Sequence, residues 1–205
     1  MNKYRTEQEQ FWAGEFGTEY INRNTDERIL AGNVSMFAEI LSHVATIDSV
    51  LEFGANIGLN LRALRQLQPH LKLAAIEIND SAVERLRTIE GIRVFHQSIL
   101  DFKSEDTWDF VLTKTVLIHM APHALDDIYD SLYRASNKYI CIAEYYNPVP
   151  VEIPYRGHSN KLFKRDFAGE MLDKFSDLQL AAYGFTYLRD PKFCFDSVNW
   201  FLLEK

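Results

Sequence analysis

Two acids bracket a pair of glycines in this chain, and this group carries the most chemistry. Glu52 and Phe53 end an apolar run, Gly54 and Gly58 break it, and the residues from 59 to 67 have helix-forming composition. A strand that stops at a glycine turn and feeds a helix leaves backbone N–H groups at the helix N-terminus, where an electron-rich ligand group can sit. Glu77 stands 19 residues beyond Gly58, with Ile78 beside it. An acid at about that distance accepts hydrogen bonds from ribose hydroxyls. These features describe a nucleoside pocket, and Glu52 selects among nucleosides. An acid two residues before the first glycine repels a pyrophosphate placed past the turn and favours a ligand end with ammonium or sulfonium charge. Asn56, where a dinucleotide turn prefers glycine, hinders close backbone approach. S-adenosylmethionine has the ribose, the adenine and both cationic groups, and no phosphate.

The elements that must position these residues follow from the hydrophobic pattern. Short apolar runs at residues 47–53, 71–78, 92–97, 108–113 and 139–144 read as strands. Between them lie helical segments at 59–67, ended by Pro69, and from Ser81 to near Gly91, with Glu84 completing a capping box. A further helix spans 125–134, after Pro122. This alternation predicts an α/β fold with a doubly wound, mostly parallel sheet. Runs at 178–188 and 193–203 flank Arg189-Asp190-Pro191-Lys192 and read as a C-terminal antiparallel hairpin, making seven strands. Residues 1–24 read as a helical cap in which Phe11, Trp12, Phe16 and Tyr20 fall at helical spacings, loosened by Gly14 and Gly17. Residues 25–205 form one domain: Asn24 or Thr25 caps its first helix, which runs to about Val44, and a Pro-rich loop at 147–160 faces substrate.

Composition bounds the function. A net charge of -7 over 205 residues argues against nucleic acid as partner, which needs a basic face. No Asn-Pro-Pro-Tyr type tetrapeptide is present. No apolar run approaches the roughly 20 residues of a membrane span, and the first residues are polar, unlike a signal peptide. The expected location is cytoplasmic, with no membrane partner. Cys141 and Cys194 sit in apolar runs and read as buried free thiols or, alternatively, a disulfide. No metal site is expected, and the chain is expected as a monomer or homodimer.

The stretch from Glu52 to Gly58, followed by Ala75-Ile76-Glu77-Ile78, resembles the first two motifs of class I S-adenosylmethionine-dependent methyltransferases. Gln97-Ser98-Ile99 is similar to the third motif, which meets the adenine, with Ser98 where the family often has Asp. Residues 108–119, through Thr113 to His119, resemble the fourth strand and the segment after it. The likeness covers about residues 25–145. The opening from Thr6 to Asn24, and Gly157-His158 through Ala168, resemble methylases associated with pseudaminic acid and related nonulosonate sugars. The resemblance implies methyl transfer to O or N of a small molecule, with a sugar or sugar nucleotide as acceptor. The alternatives are a nicotinamide-dependent oxidoreductase, against which Glu52 and Asn56 speak, and a non-catalytic cofactor-binding module.

Methyl transfer needs nucleophile, methyl and sulfur collinear, and a hydroxyl acceptor benefits from a base within reach. His119 follows the fourth strand on the ligand edge of such sheets and is either that base or a packed histidine before Pro122. Lys114 can meet an anionic acceptor. Glu144, Tyr145 and Tyr146 end the fifth strand at the same edge. Arg156, His158, Lys164 and Arg165 form a basic cluster suited to a phosphate or carboxylate, or else a solvated charge run. Trp12 and Tyr20 offer aromatic faces to a sulfonium, and Arg23 can pair with the methionine carboxylate.

Overall fold

The computed structural model describes residues 4–23, 27–193 and 196–205, and the side chains of Asn22 and Arg23 stand outside that description. The expected caps Asn24 and Thr25, and the thiol Cys194, also lie outside the described residues. The cap is two short helices, α1 (Glu7–Ala13) and α2 (Glu15–Arg23), split at Gly14. Thr6 and Glu9 close a capping box on α1, which satisfies two of the N–H groups that a helix start leaves open. Next come α3 (Glu27–Leu41), β1 (Ser49–Phe53), α4 (Leu59–Leu67), β2 (Lys72–Glu77), α5 (Asp80–Leu86) and β3 (Arg93–His96). Then follow β4 (Trp108–Lys114), two 3-10 turns at Leu117–His119 and Pro122–Ala124, α6 (Leu125–Ala135) and β5 (Ser136–Glu144). The chain closes with β6 (Val151–Glu152), β7 (Phe163–Lys164), α7 (Phe167–Lys174), β8 (Gln179–Phe185) and β9 (Asn199–Glu204).

The main sheet has seven strands in the order β3-β2-β1-β4-β5-β9-β8. The first five are parallel, and β9 runs antiparallel to both β5 and β8. Strands covered on both faces need apolar residues at every position. Side chains alternate accordingly: Val50, Phe110, Leu112 and Cys141 face a core with Phe37, Leu61 and Leu64, while Leu51, Phe53, Val111 and Ile140 face one with Ile128, Leu132 and Met171. Cys141 is a buried free thiol. Strand order reverses between β1 and β4, and a crevice opens beyond the carboxyl ends of strands at such a point.

Three expectations are corrected locally. The helix expected from Ser81 begins at Asp80, and its cap is Asn79, whose side chain accepts the Ala82 N–H. Asparagine caps at least as well as serine, so the earlier residue takes the position. The Pro-rich loop is more ordered than its composition suggests. It pairs β6 with β7, and Tyr155 and His158 exchange backbone hydrogen bonds of 2.8 and 2.9 Å. The first domain helix stops at Leu41, short of Val44. Among the described residues no helix is long and apolar enough to cross a membrane, and no group of three His, Cys, Asp or Glu side chains is placed to hold a metal.

Candidate active site

A cavity of about 430 Å³ lies across the carboxyl ends of β3, β2, β1 and β4, within the usual range for small-molecule sites. Its floor is the turn after β1. Gly54 has φ +72°, and a Cβ there would stand 2.7 Å from Val116 Cγ2. Gly58 has φ +80°, and its Cβ would stand 2.5 Å from Ile89 Cδ1. Both positions need glycine for conformation and for space. Asn56 also takes a positive φ, 48°, which asparagine tolerates better than most side chains. Its N–H donates to Glu77 Oε2 at 2.7 Å. Glu77 Oε1 accepts from the N–H groups of Ile78 and Asn79 at 2.9 and 2.8 Å. Burial pushes the Glu77 pKa up, and these three bonds hold it down. A carboxylate can accept about four hydrogen bonds, so the rigidly aimed Glu77 keeps capacity for a ligand hydroxyl.

Gln97, Ser98 and Ile99 continue the cavity wall after β3. Ser98 Oγ accepts the Leu100 N–H at 3.1 Å, so its hydroxyl hydrogen remains to be donated. Ile78 and Ile99 line the wall alongside. Asn79 ties the cap to this floor: while its Oδ1 caps α5, its Nδ2 reaches the Trp12 carbonyl at 3.1 Å and Thr18 Oγ1 at 3.2 Å.

Glu52 is placed differently from the expectation. It is fully buried and stands behind the cavity wall. Its position on β1 turns it toward α4, where Asn60 Nδ2 donates to Oε1 at 2.5 Å, and its Oε2 has no hydrogen-bond partner. Burial pushes its pKa up to about 8, against the Asn60 bond and the Lys114 charge. Near neutral pH most of it carries a proton. Asn60, in the first turn of α4, presents the polar surface to the cavity instead.

The opposite end is assembled from distant segments. His119 is 7% exposed, and its Nδ1 lies 2.6 Å from the Lys161 carbonyl oxygen. A carbonyl only accepts, so Nδ1 carries the proton and Nε2 keeps its lone pair. Burial pushes the His119 pKa down to about 4, leaving the ring neutral at physiological pH. The Trp12 and Tyr155 rings pack at 4.6 and 4.8 Å from its centroid. Trp12, Tyr20 and His119 line the cavity together with Lys114. Lys114 follows Thr113, the register partner of Phe53 on β1, so it stands beside the glycine turn. Burial lowers its pKa, and Asp196, Glu52 and Glu144 pull it back up.

Several expected residues stand elsewhere. Thr113 is fully buried and donates to Glu144 Oε1 at 3.4 Å. Glu144 points into the turn after β4, accepting from Val116, Leu117 and Ile118 N–H groups at 3.0, 2.9 and 3.4 Å. Burial raises its pKa to about 7. It therefore clamps the turn that carries His119. Tyr145 packs between the two cores, with Lys164 over its ring at 5.2 Å. Tyr146 packs outward on Phe201. Arg165 is paired with Glu170 at 2.6 Å. Arg156 and His158 are exposed on the loop, His158 against Phe11 at 5.1 Å. The basic cluster is thus dispersed, because β7 and the Tyr155–His158 turn send its members in different directions. The Arg23 side chain lies outside the described residues.

The structure adds Gln8, Arg28, Asn33, Asn60 and Asp196 to the cavity wall. Asn33 had a readable signal: it interrupts the apolar stripe of Ile29, Met36 and Phe37 on α3. Asp196 had none, since only the hairpin brings it near.

The chain matches no family model and no curated protein. Solved structures share its fold. The magnesium protoporphyrin IX methyltransferase from Synechocystis PCC 6803, with bound SAM, matches with TM-score 0.68 at 12% identity, covering 100% of both chains. The 1,6-didemethyltoxoflavin-N1-methyltransferase of Burkholderia thailandensis matches with TM-score 0.68 at 14% identity, over 92% of this chain and 84% of that one. A plantazolicin methyltransferase in complex with SAH matches with TM-score 0.66 at 15% identity, over 97% and 93%. The seven-stranded, mostly parallel sheet with its antiparallel end is the Rossmann-like methyltransferase fold.

Proposed function

We propose that this chain is an S-adenosylmethionine-dependent methyltransferase acting on an O or N atom of a small molecule. One observation carries the reading: the glycine turn, Glu77 and Ser98 lie in sequence along one cavity at the strand-order reversal. The residues fit the cofactor's chemistry. Glu77 has room for ribose hydroxyls, Ser98 and Ile99 flank the adenine end, and the turn is too crowded by Asn56 to invite a pyrophosphate. When bound, the cofactor supplies a methyl group activated by a sulfonium.

The chain's own residues supply the rest. Trp12 and Tyr20 form an aromatic wall that favours a cation and keeps water out. His119 Nε2 accepts a hydrogen bond from an acceptor hydroxyl and orients its oxygen. A histidine with so low a pKa is a weak base, but an oxygen that is being alkylated becomes strongly acidic. The proton then passes to Nε2 as the new bond forms. Glu144 holds the backbone of the turn in place, and the Lys161 carbonyl holds the ring. Structural neighbours whose names give an acceptor act on small molecules or peptides. For this chain the acceptor class we propose is a sugar or sugar nucleotide, on the sequence resemblance. An uncharged sugar suits the aromatic wall best, since Arg165 is engaged by Glu170.

Calorimetry with S-adenosylhomocysteine tests the cofactor reading. Glu77→Ala should weaken binding by about 10- to 100-fold, the loss expected for charge-assisted hydrogen bonds. Unchanged affinity rejects the placement. Mass-spectrometric screening of sugars and sugar nucleotides for the gain of one methyl tests the acceptor.

A further inference from the structure

Residues 160 and 161 of the loop are held from two sides. From the cap, Glu7 Oε1 accepts from Lys161 Nζ at 2.9 Å and from Asn160 Nδ2 at 3.0 Å. Gln8 Nε2 donates to the Asn160 carbonyl at 2.9 Å. From β6, Glu152 Oε1 accepts the Asn160 N–H at 2.6 Å. Asn160 has a left-handed φ of +62°, which asparagine tolerates without preferring it, so these bonds hold a bend that the backbone alone would not keep. The Lys161 side chain is 10% exposed, and its ammonium lies 5.4 Å from the Phe11 ring centroid. The cap is itself tied to the domain at both ends of α1. Arg5 Nη1 donates to the Leu100 carbonyl at 2.7 Å, and Asn79 Nδ2 donates to the Trp12 carbonyl at 3.1 Å. Helix α1 is thus a splint between the domain and the loop.

The splint bears on one atom of the site. The Lys161 carbonyl takes the Nδ1 proton of His119, 2.6 Å away. An imidazole with no such partner favours the proton on Nε2, and the partner of one nitrogen decides the state of the other. We propose that the Glu7–Lys161 pair is a latch through which the docked cap sets the tautomer of His119. With the latch closed, Nε2 keeps its lone pair for an acceptor hydroxyl. With it open, the carbonyl is no longer held, the proton passes to Nε2, and the ring presents a donor that can take no proton. Any residue at position 161 would supply the carbonyl; the lysine side chain pins it. Neither Glu7 nor Lys161 lines the cavity, so both are positioning residues that act through the backbone. The consequence for turnover rests on the base role given to His119 above, whereas the tautomer itself does not.

Long-range nitrogen–proton NMR spectra of the imidazole rings in the full chain read the tautomer directly, with the His119 signals identified by their absence in His119→Gln. The unaltered chain should carry the proton on Nδ1. Lys161→Met keeps the carbonyl and removes the ammonium, and Glu7→Ala removes the partner of that ammonium. Each should move the tautomer ratio toward Nε2–H by about 3- to 10-fold, the worth of one loosened hydrogen bond. Glu7→Gln should restore the ratio, because an amide oxygen in the same place accepts both bonds. On a hydroxyl acceptor kcat should fall with the ratio, while S-adenosylhomocysteine affinity stays within about twofold. Where Glu7→Ala fails to fold, Lys161→Met, altered at the tip of one side chain, answers the question. A ratio unchanged in these variants overturns the latch. So does an unaltered chain with the proton on Nε2, which removes the base reading of His119 as well. A shifted ratio with full turnover rejects His119 as the base and leaves the latch standing.

Discussion

The two ends of the cavity are built in different ways. The end at β1 and β2 is made by one continuous stretch, residues 52–79, whose turn, strand and cap are joined by backbone hydrogen bonds from Asn56, Ile78 and Asn79 onto Glu77. The end at β4 is assembled from pieces far apart in the chain: Trp12 from the cap, His119 from a 3-10 turn, Lys161 from the loop and Asp196 from the hairpin. The contrast teaches where each kind of specificity resides. A local construction gives a fixed receptor that survives changes elsewhere. An assembled one allows acceptor choice to vary by loop and cap while the fold is kept.

The largest expected effect separates the two ends outright. His119→Ala should lower turnover on a hydroxyl acceptor by about 10²- to 10⁴-fold, the usual contribution of a positioned acid or base. S-adenosylhomocysteine affinity should stay within about twofold, because the cofactor end is built independently. A parallel loss of affinity in calorimetry would break the comparison. The pH dependence adds a second check. His119 is neutral above about 4, so its contribution should persist undiminished down to about pH 5.

Two glycines sharpen the contrast. Gly54→Ala forces a side chain into a left-handed turn and against Val116. It should cost about 2–4 kcal/mol in urea unfolding and abolish cofactor binding. Gly17→Ala would place a Cβ 1.9 Å from the Trp12 carbonyl, where it also crowds the bond from Asn79. The cap should shift off the domain at a cost of about 1–2 kcal/mol. Acceptor turnover should fall further than cofactor affinity. Equal effects of the two substitutions on both readouts would show that cap and floor form one unit.

What the sequence reveals follows the same division. Residues 59–67 form a helix as their spacing indicates, and Glu77 ends β2 where the spacing from Gly58 puts it. Both are set by local geometry, which residue types record. Glu52 was read from its type alone, as an acid facing ligand. Side-chain alternation along β1 decides otherwise, and a fully covered strand gives no polar-apolar contrast by which to see which way it points. The bond that fixes His119 was illegible for a different reason. Its partner is a backbone carbonyl 42 residues away, and any residue type at Lys161 would supply one.

The buried Glu52 makes a prediction for the local end. Its pKa is raised in the folded chain, so the stability it contributes is complete below its unfolded value of 4.5 and is lost as pH rises through about 8. Glu52→Gln should remove that loss. Thermal unfolding of the variant should match the unaltered chain near pH 4.5 and exceed it above pH 8, by on the order of 5 kcal/mol. A variant less stable at every pH would mean that the carboxylate is ionised in place and needed by its neighbours.

The smallest effect tests the assembled end by what it leaves out. Arg165 belongs to the most basic stretch of the sequence, Lys161 to Arg165, and charge alone would send it to an anionic acceptor. The structure turns it away. Its Nε donates to Glu170 at 2.6 Å, and Tyr129 donates its hydroxyl to the other oxygen of the same carboxylate at 2.6 Å. Tyr129 packs from α6 into the core, and burial and the adjoining carboxylate both push its pKa up. Arg165 thus balances a carboxylate that the fold already holds. Arg165→Ala should leave acceptor KM within about twofold, with a stability cost of about 0.5–1 kcal/mol for a partly buried pair. Arg165→Lys should restore part of that stability and leave KM where it was. A KM raised tenfold by the alanine and rescued by the lysine would place an anionic acceptor at α7, and would show that the assembled end reaches further from the cavity than its walls do.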